Sequence, residues 1–182
     1  RKSGKDKYPP IVIYNLPFPF IIENEAIIQG INSKKMLPYL IDGAKILEKA
    51  GASFGILPCN TLHQYINEIR AAVNIPFLSI IEETLIKLKA LKIKTVGILA
   101  TQSTVNSKIY SSILQKTRIR ILYPDEDEQV YINKIIIQAL NGKTKFNNKK
   151  MQILLNSLRQ KGAEVVLLAC TDLQLAMLGV KS

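Results

Sequence analysis

The sequence has few of the residues that metal-based and disulfide-based folds require. Its 182 residues include two cysteines, one histidine and no tryptophan. Because a structural zinc site usually takes four Cys or His ligands, we expect no metal. A disulfide framework is not expected of two cysteines in a chain without a visible export signal. We therefore expect a fold that is held together by an apolar core.

Long apolar runs and targeting signals are also missing. The longest apolar candidate, residues 11–22, is interrupted by Asn15, Pro17 and Pro19. It therefore falls short of the ~20 apolar residues that cross a bilayer. The basic start, residues 1–7, is not followed by the apolar core of a secretory signal. We predict a cytoplasmic protein without a membrane partner.

Acidic residues are outnumbered, with 14 Asp and Glu against 25 Lys and Arg, which gives a net charge of +11. A surplus of this size can serve nucleic-acid binding, which would show as a salt-dependent affinity for oligonucleotides. The basic residues are, however, spread along predicted helices, and none of them alternate with aromatic residues as in single-strand-binding platforms. The pattern predicts solvated helix faces and no nucleic-acid partner.

Short apolar runs alternate with helical patterns along the chain. Each run is continuous and rich in Ile, Val and Leu, which is typical of strands covered on both faces in a parallel sheet. The predicted strands are residues 10–14, 54–57, 95–100, 118–123 and 165–169. The predicted helices are residues 37–50, 62–73, 82–91, 107–114, 126–140 and 150–161. The alternation predicts an α/β fold with right-handed crossovers.

Two segments of the sequence repeat each other. Residues 47–62 and 158–173 align without a gap, and the alignment pairs Cys59 with Cys170. Each copy has the pattern of a helix, a glycine turn, a buried strand and a cysteine at the carboxyl end of the strand. The repeat predicts two pseudo-symmetric domains, residues 1–92 and 93–182, with mainly parallel sheets flanked by helices.

The repeat also predicts elements that this chain lacks. The second half opens with strand 95–100, for which the first half has no counterpart. The first cysteine is followed by a helix, whereas few residues follow the second. We therefore expect a leading strand and a trailing helix to be absent from this chain.

Both cysteines fall where a parallel sheet binds ligands, at the carboxyl ends of strands. Each is followed by helix-capping residues, Asn60 and Thr61 after Cys59, and Thr171 and Asp172 after Cys170. A helix N-terminus favours negative charge, which predicts a thiol pKa below the ordinary value of about 8.5. Two thiols that face each other across a cleft suit proton removal from one face of a carbon and proton return on the other.

This chemistry is racemisation or epimerisation by two-base catalysis, and the sequence carries no sign of a cofactor. The sequence contains neither of the glycine-rich loops, GxGxxG or GxxxxGK[ST], that cradle phosphate groups. A pyridoxal enzyme would need such a cradle and a Schiff-base lysine. We therefore predict no cofactor.

Five segments resemble motifs of the aspartate/glutamate racemase family, in order and at natural spacing. Residues 58–63, PCNTLH, resemble the family's PCNTxH motif, and residues 169–173, ACTDL, are similar to GCT[DE]L. The other three segments are residues 80–84, 99–104 and 124–129. The resemblance implies a cofactor-independent racemase with its active site in the cleft between two domains. It further implies an amino-acid substrate and a homodimer.

The resemblance also implies a role for individual residues. Cys59 and Cys170 are the implied catalytic pair. The implied substrate-binding residues are Asn60, Thr61, Thr101, Ser103, Thr104 and Thr171. His63 and Asp172 are candidates for tuning the cysteines, although orienting the first helical turn or capping a helix would also explain them.

Two departures from the family bear on the substrate. Some members carry a cation where this chain has Ile21 and Leu140. Without these cations a distal carboxylate would be buried unpaired, which is costly. The resemblance therefore implies an amino-acid racemase without fixing its side chain, and a neutral or apolar side chain fits as well as aspartate.

Other functions on the same fold stay open. A sister isomerase, either a hydantoin racemase or a maleate cis–trans isomerase, would use a similar site. The CTD sequence after Ala169 and the acidic segment 124–129 favour the amino-acid racemase. A non-catalytic homologue that binds a small molecule is suggested by Ser103, which replaces a family glycine. The intact pair of thiols argues against that alternative.

Overall fold

Two parallel sheets, each with helices packed against it, form the frame of the molecule. They are seen in a computed structural model that describes residues 8–143, 145–178 and 180. The smaller sheet has two strands and the larger has three. The predicted α/β class with parallel sheets flanked by helices is confirmed. The basic start at residues 1–7 lies outside the described residues.

The smaller sheet pairs β1 (Gly55–Ile56) with β2 (Phe77–Leu78), so that Gly55 lies beside Phe77. The helices of this part are short, apart from the 13-residue helix α2 (Leu37–Lys49). They are α1 (Phe20–Glu23), a π-helix (Asn24–Gln29), a 3-10 helix (Ser33–Met36), α2 (Leu37–Lys49), a second 3-10 helix (Thr61–Tyr65) and α3 (Ile66–Ala71). Their apolar faces meet in one cluster around Met36, Leu40, Leu62 and Ile69.

The larger sheet has the strand order β4-β3-β5, with β3 in the centre. The strands are β3 (Thr95–Ala100), β4 (Arg120–Leu122) and β5 (Val165–Ala169). The helices around it are α4 (Ile80–Ala90), α5 (Gln102–Asn106), α6 (Ile109–Leu114), α7 (Glu126–Leu140), α8 (Asn148–Gln160) and α9 (Leu173–Ala176). Among the residues that the structure describes, no helix is long and apolar enough to cross a membrane.

Strand β3 is covered on both faces, which explains its unbroken apolar sequence. Val96 and Ile98 pack with helices α4 and α6 on one face of the sheet. Leu99 points to the other face and packs with helices α7 and α8. Successive side chains of a strand point to opposite faces, so both clusters draw on the same short segment.

Helix α4 packs against the larger sheet, through Ile81 and Leu88. Its sequence position places it within residues 1–92, the predicted first half. The division of the chain at residues 92 and 93 stays a prediction.

The predicted strand at residues 10–14 is wrong. These residues belong to no described helix or strand, and Ile11 and Ile13 remain 78% and 87% exposed. A strand forms only against a neighbouring strand, and no described strand runs alongside this segment. The segment has the composition of a strand, but no described strand pairs with it.

Candidate active site

The two cysteines follow strands of different sheets, at the carboxyl end of each strand. Cys59 comes shortly after β1 and is half-buried, and Cys170 directly follows β5 and is buried. Both thiols are free. In a parallel sheet this end of the strands is where ligands bind.

Burial and backbone amides act on the two thiols in opposite directions. Burial raises the pKa of Cys59, although the backbone N–H groups of Leu62 and Thr61 lower it. Burial also raises the pKa of Cys170, to about 12, against the backbone N–H groups of Asp172 and Leu173. The predicted lowering of the thiol pKa is therefore wrong in sign. The amides are present as expected, but the loss of solvent around the sulfurs outweighs them.

Asp172 connects the two cysteines electrostatically. The thiol of Cys170 donates a weak hydrogen bond to Asp172 Oδ2, with an Sγ–Oδ2 distance of 3.7 Å. The negative charge of Asp172 raises the pKa of Cys170 and also that of Cys59. The Asp172 carboxylate therefore disfavours the thiolate form of both cysteines.

Three buried threonines join the Cys59 loop to the end of β3. Thr61 Oγ1 lies 3.0 Å from Thr101 Oγ1 and 3.1 Å from Thr104 Oγ1. Thr101 donates to Thr104 Oγ1 at 2.9 Å and accepts the backbone N–H of Thr104 at 3.0 Å, which caps helix α5. Three of the predicted substrate-binding residues are thus brought together by this hydroxyl triangle.

The other predicted binding residues have different surroundings. Asn60 is buried and accepts a hydrogen bond from the Tyr110 hydroxyl. Ser103 is 6% exposed and packs near Gly30, which has a positive φ of 70°. Thr171 is exposed at the loop after Cys170. Neither Ser103 nor Thr171 makes a side-chain hydrogen bond with another described residue.

Two residues near these loops, Tyr110 and Gln129, could not be singled out from the sequence. Tyr110, on α6, supports Asn60, and burial raises its pKa to about 12, so that it stays a hydrogen-bond donor. Gln129, on α7, donates from Nε2 to the Ala100 carbonyl at 3.0 Å and to Asn133 Oδ1 at 3.0 Å. Gln129 belongs to the family-like segment 124–129, but nothing local in the sequence indicates which strand it contacts.

His63 ties the Cys59 loop to the start of helix α4. Its Nδ1 lies 2.7 Å from the Cys59 carbonyl oxygen, and its Nε2 accepts the backbone N–H of Ile80 at 3.0 Å. Because a carbonyl can only accept, Nδ1 carries the proton and the ring is neutral. Burial lowers the pKa of His63 below its ordinary value. The structure thus gives His63 the role of positioning the loop.

The neutral state of His63 predicts a pH dependence of stability. Below about pH 6.5, the imidazole of His63 becomes protonated in the unfolded chain. In the folded protein the imidazole stays neutral until a lower pH, because its pKa is lowered. The free energy of unfolding should then fall by up to about 1.4 kcal/mol per pH unit. Urea unfolding from about pH 7.5 to about pH 5 measures this slope, and His63 is the sole histidine.

The control for this slope is His63→Gln, which cannot titrate in that range. We expect the variant to be less stable at about pH 7.5 and to lack the histidine slope. The carboxyls of Glu25, Glu82 and Glu128 have lowered pKa values, so their stabilisation is lost only at pH values below 4.5. A variant that kept the full slope would contradict the assignment.

Within the described ranges, no three His, Cys, Asp or Glu side chains come together as a metal site. The hydrogen-bonding groups described above are instead hydroxyls, an amide and backbone N–H groups. Hydroxyl, amide and backbone N–H groups can donate to the carboxylate of a small polar molecule, and hydroxyl and amide oxygens can accept from its ammonium group.

Comparison with known proteins gives consistent matches. The model of the family described as Asp/Glu/Hydantoin racemase matches residues 1–180. The chain is 31% identical to the broad specificity amino-acid racemase RacX of Bacillus subtilis (strain 168), over 180 residues. That match covers 99% of this chain and 76% of the relative.

Solved structures resemble the fold. An aspartate racemase homologue from Pyrococcus horikoshii OT3 aligns with a TM-score of 0.75 and 28% identity, over 96% of this chain and 76% of the other. The aspartate racemase of Picrophilus torridus aligns with a TM-score of 0.70 and 28% identity, over 91% and 68%. A glutamate racemase from Francisella tularensis in complex with D-glutamate, at 17% identity and a TM-score of 0.64, shares the fold.

Proposed function

The chain belongs to the Asp/Glu/Hydantoin racemase family, and from this premise we propose that it is a cofactor-independent amino-acid racemase. Cys59 and Cys170 are its two catalytic bases. The observation that carries the proposal is the pair of free thiols at the ends of β1 and β5, each with backbone N–H groups that stabilise its thiolate. Its similarity to a broad specificity amino-acid racemase supports an amino acid as the substrate.

The reaction moves two protons and leaves the substrate's composition unchanged. One cysteine, as a thiolate, removes the α-proton, and the bonding electrons stay on the α-carbon. The other cysteine, as a thiol, then donates its proton to the opposite face of that carbon. The enzyme is left with the protonation of the two sulfurs exchanged, so the next turnover runs in the opposite direction or follows proton exchange with water.

Burial determines the protonation state of the two thiols before substrate binds. With both thiol pKa values raised, both sulfurs carry protons at neutral pH. The positive charge of a bound α-ammonium group would favour release of one thiol proton to water, which leaves a thiolate beside the substrate. Asp172, whose charge acts on both thiols, is the group we propose to hold that ammonium.

The carboxylate of the substrate requires hydrogen-bond donors. We propose that Thr171 and Ser103, which make no side-chain hydrogen bond with a described residue, supply hydroxyls to it. The hydroxyl triangle of Thr61, Thr101 and Thr104 uses its three O–H donors internally and holds the loops. Asn60 accepts from Tyr110 through Oδ1, and we propose that its Nδ2 donates to the same carboxylate group. We further propose a homodimer in the cytoplasm.

Exchange of the α-proton tests this function. The protein is incubated in D₂O with separate L- and D-amino acids, and loss of the α-proton is followed by NMR and inversion by chiral chromatography. We expect exchange and inversion with at least one amino acid. Absence of both, with the thiols reduced, would overturn the proposal, and turnover of a hydantoin or of maleate would assign the sister chemistry instead.

A further inference from the structure

The side chain of Asn60, the residue after Cys59, is deeply buried, and only one end of its amide is bonded. Asn60 is 5% exposed, and its Oδ1 accepts the hydroxyl of Tyr110 at 2.5 Å. Its Nδ2 makes no hydrogen bond with a described residue. No fully enclosed side-chain nitrogen or oxygen of the described residues lacks a partner, so Nδ2 is open to the space beside the Cys59 loop.

The backbone of Asn60 is fixed, which leaves the amide as its movable part. The Asn60 carbonyl accepts the backbone N–H of His63 at 3.0 Å, at the start of the 3-10 helix Thr61–Tyr65. Rotation of the amide plane by a half-turn would exchange the places of Oδ1 and Nδ2. One orientation presents N–H donors beside the loop, and the other presents an acceptor oxygen. A carboxylate can only accept, so it binds to the first orientation alone.

Tyr110 selects between these two orientations. Its side chain is 2% exposed, and its ring packs with Val96 and Ile98 of β3 in the core of the larger sheet. Burial raises the pKa of Tyr110 to about 12, so the hydroxyl keeps its proton at neutral pH. A rigid O–H donor therefore faces Asn60 from the core. Oδ1 lies against this donor, and Nδ2 is directed away from it.

We propose that Tyr110 is a positioning residue, which turns the amide of Asn60 so that Nδ2 donates to the α-carboxylate of the substrate. This inference rests on the proposed racemase function. When the α-proton leaves, the negative charge left on the α-carbon is shared with that carboxylate. A donor that is already aimed at the carboxylate stabilises this charge without having to reorient. Tyr110 acts through Asn60 and does not touch the substrate.

Tyr110→Phe tests the proposal, because it removes the hydroxyl and keeps the ring in the core. The amide of Asn60 is then free to rotate and to present Oδ1 to the carboxylate. With the amino acid that the native protein exchanges fastest, we expect kcat for α-proton exchange in D₂O to fall about ten- to hundredfold, somewhat less than for outright loss of a donor to developing charge. KM should change by less than about threefold, because water can replace the donor before the charge develops.

Tyr123→Phe is the matched control. The hydroxyl of Tyr123 pairs with Ser111 Oγ at 3.1 Å, and Ser111 follows Tyr110 on helix α6. The control therefore removes a hydroxyl hydrogen bond of the same helix and leaves the Tyr110–Asn60 hydrogen bond in place. We expect its kcat to stay within about twofold of the native value.

A double-mutant cycle with Asn60→Ala shows whether Tyr110 acts through Asn60. In the Asn60→Ala background there is no amide to orient, so Tyr110→Phe should lower kcat by less than about twofold. An equal loss in both backgrounds would mean that Tyr110 serves the structure of helix α6 instead, and would overturn the proposal.

The side-chain amide of Asn60 gives a second readout that needs no turnover. In ¹⁵N-labelled protein its two N–H signals are those that Asn60→Ala removes. We expect the same amino acid to shift these signals in the native protein and to shift them much less in Tyr110→Phe. Signals that do not move when the native protein binds the amino acid would overturn the proposal, whatever the stability of the variants.

The outcomes separate this inference from the racemase function. Exchange that depends on Cys59 and Cys170 but is unchanged in Tyr110→Phe would overturn the role of Tyr110 and leave the racemase standing. Absence of exchange with every amino acid in the native protein would overturn both. A loss of kcat in Tyr110→Phe that disappears in the Asn60→Ala background supports both.

Discussion

Replacement of Cys170 by alanine is expected to slow racemisation by about 10²–10⁴-fold, the contribution of a positioned acid or base. Cys59→Ala should have an effect of the same order, because inversion needs a base on one face of the α-carbon and an acid on the other. The measurement is the rate of inversion of each enantiomer, followed by chiral chromatography. A variant of either cysteine that retained a tenth of the activity would contradict the two-base mechanism.

Deuterium exchange distinguishes the two cysteines. Each removes the α-proton of one enantiomer only, so a single variant should keep some exchange with one enantiomer and lose it with the other. The two variants should have opposite preferences. Cys170 packs in the core with Leu99 and Leu173, so Cys170→Ser, which keeps the size of the side chain, serves as the second variant when alanine lowers stability. Urea unfolding of each variant reports on folding separately from activity.

Gly55→Ala is expected to destabilise the protein by about 1–3 kcal/mol, the cost of overpacking a filled site. A Cβ atom on Gly55 would clash with the ring of Phe77, which pairs with Gly55 in the parallel register. Phe77 is buried in the cluster of the smaller sheet, so its ring has little room to move. The measurement is the midpoint and slope of urea unfolding.

A double-mutant cycle gives the control for Gly55. Phe77→Leu removes the ring, so the added methyl group should cost less in that background than in the native protein. We expect a coupling of about 0.5–3 kcal/mol between the two positions, as is usual for residues in contact. Additive effects would show that the methyl group is accommodated elsewhere and would contradict the clash.

Local signals in the sequence predicted the bounds of one helix and of two strands. Helix α7 begins and ends at the predicted residues, 126 and 140, since Asp125 and Glu128 form a capping box at its start. Strands β3 and β5 also match their predicted bounds, because both are continuous apolar runs. In each of these segments the sequence pattern and the surrounding structure favour the same conformation.

Features that depend on distant partners could not be predicted. Residues 10–14 have the composition of a strand but lack a described neighbour to pair with. The short strand β2 and helix α5 were missed, because segments this short carry little periodicity. The thiol pKa shows the same limit at the candidate site. The sequence indicates the capping residues after each cysteine, whereas the depth of burial depends on helices from other parts of the chain.

The raised pKa of the thiols also bears on their survival in the cell. Thiolates, and not thiols, react readily with peroxides and alkylating agents. With a pKa of about 12, only about one Cys170 in 10⁵ is ionised at neutral pH. Such a sulfur is a poor target for oxidants, although neither cysteine is protected in a disulfide. We therefore expect oxidation of Cys170 mainly during turnover, when bound substrate favours the thiolate, and much less in the substrate-free protein.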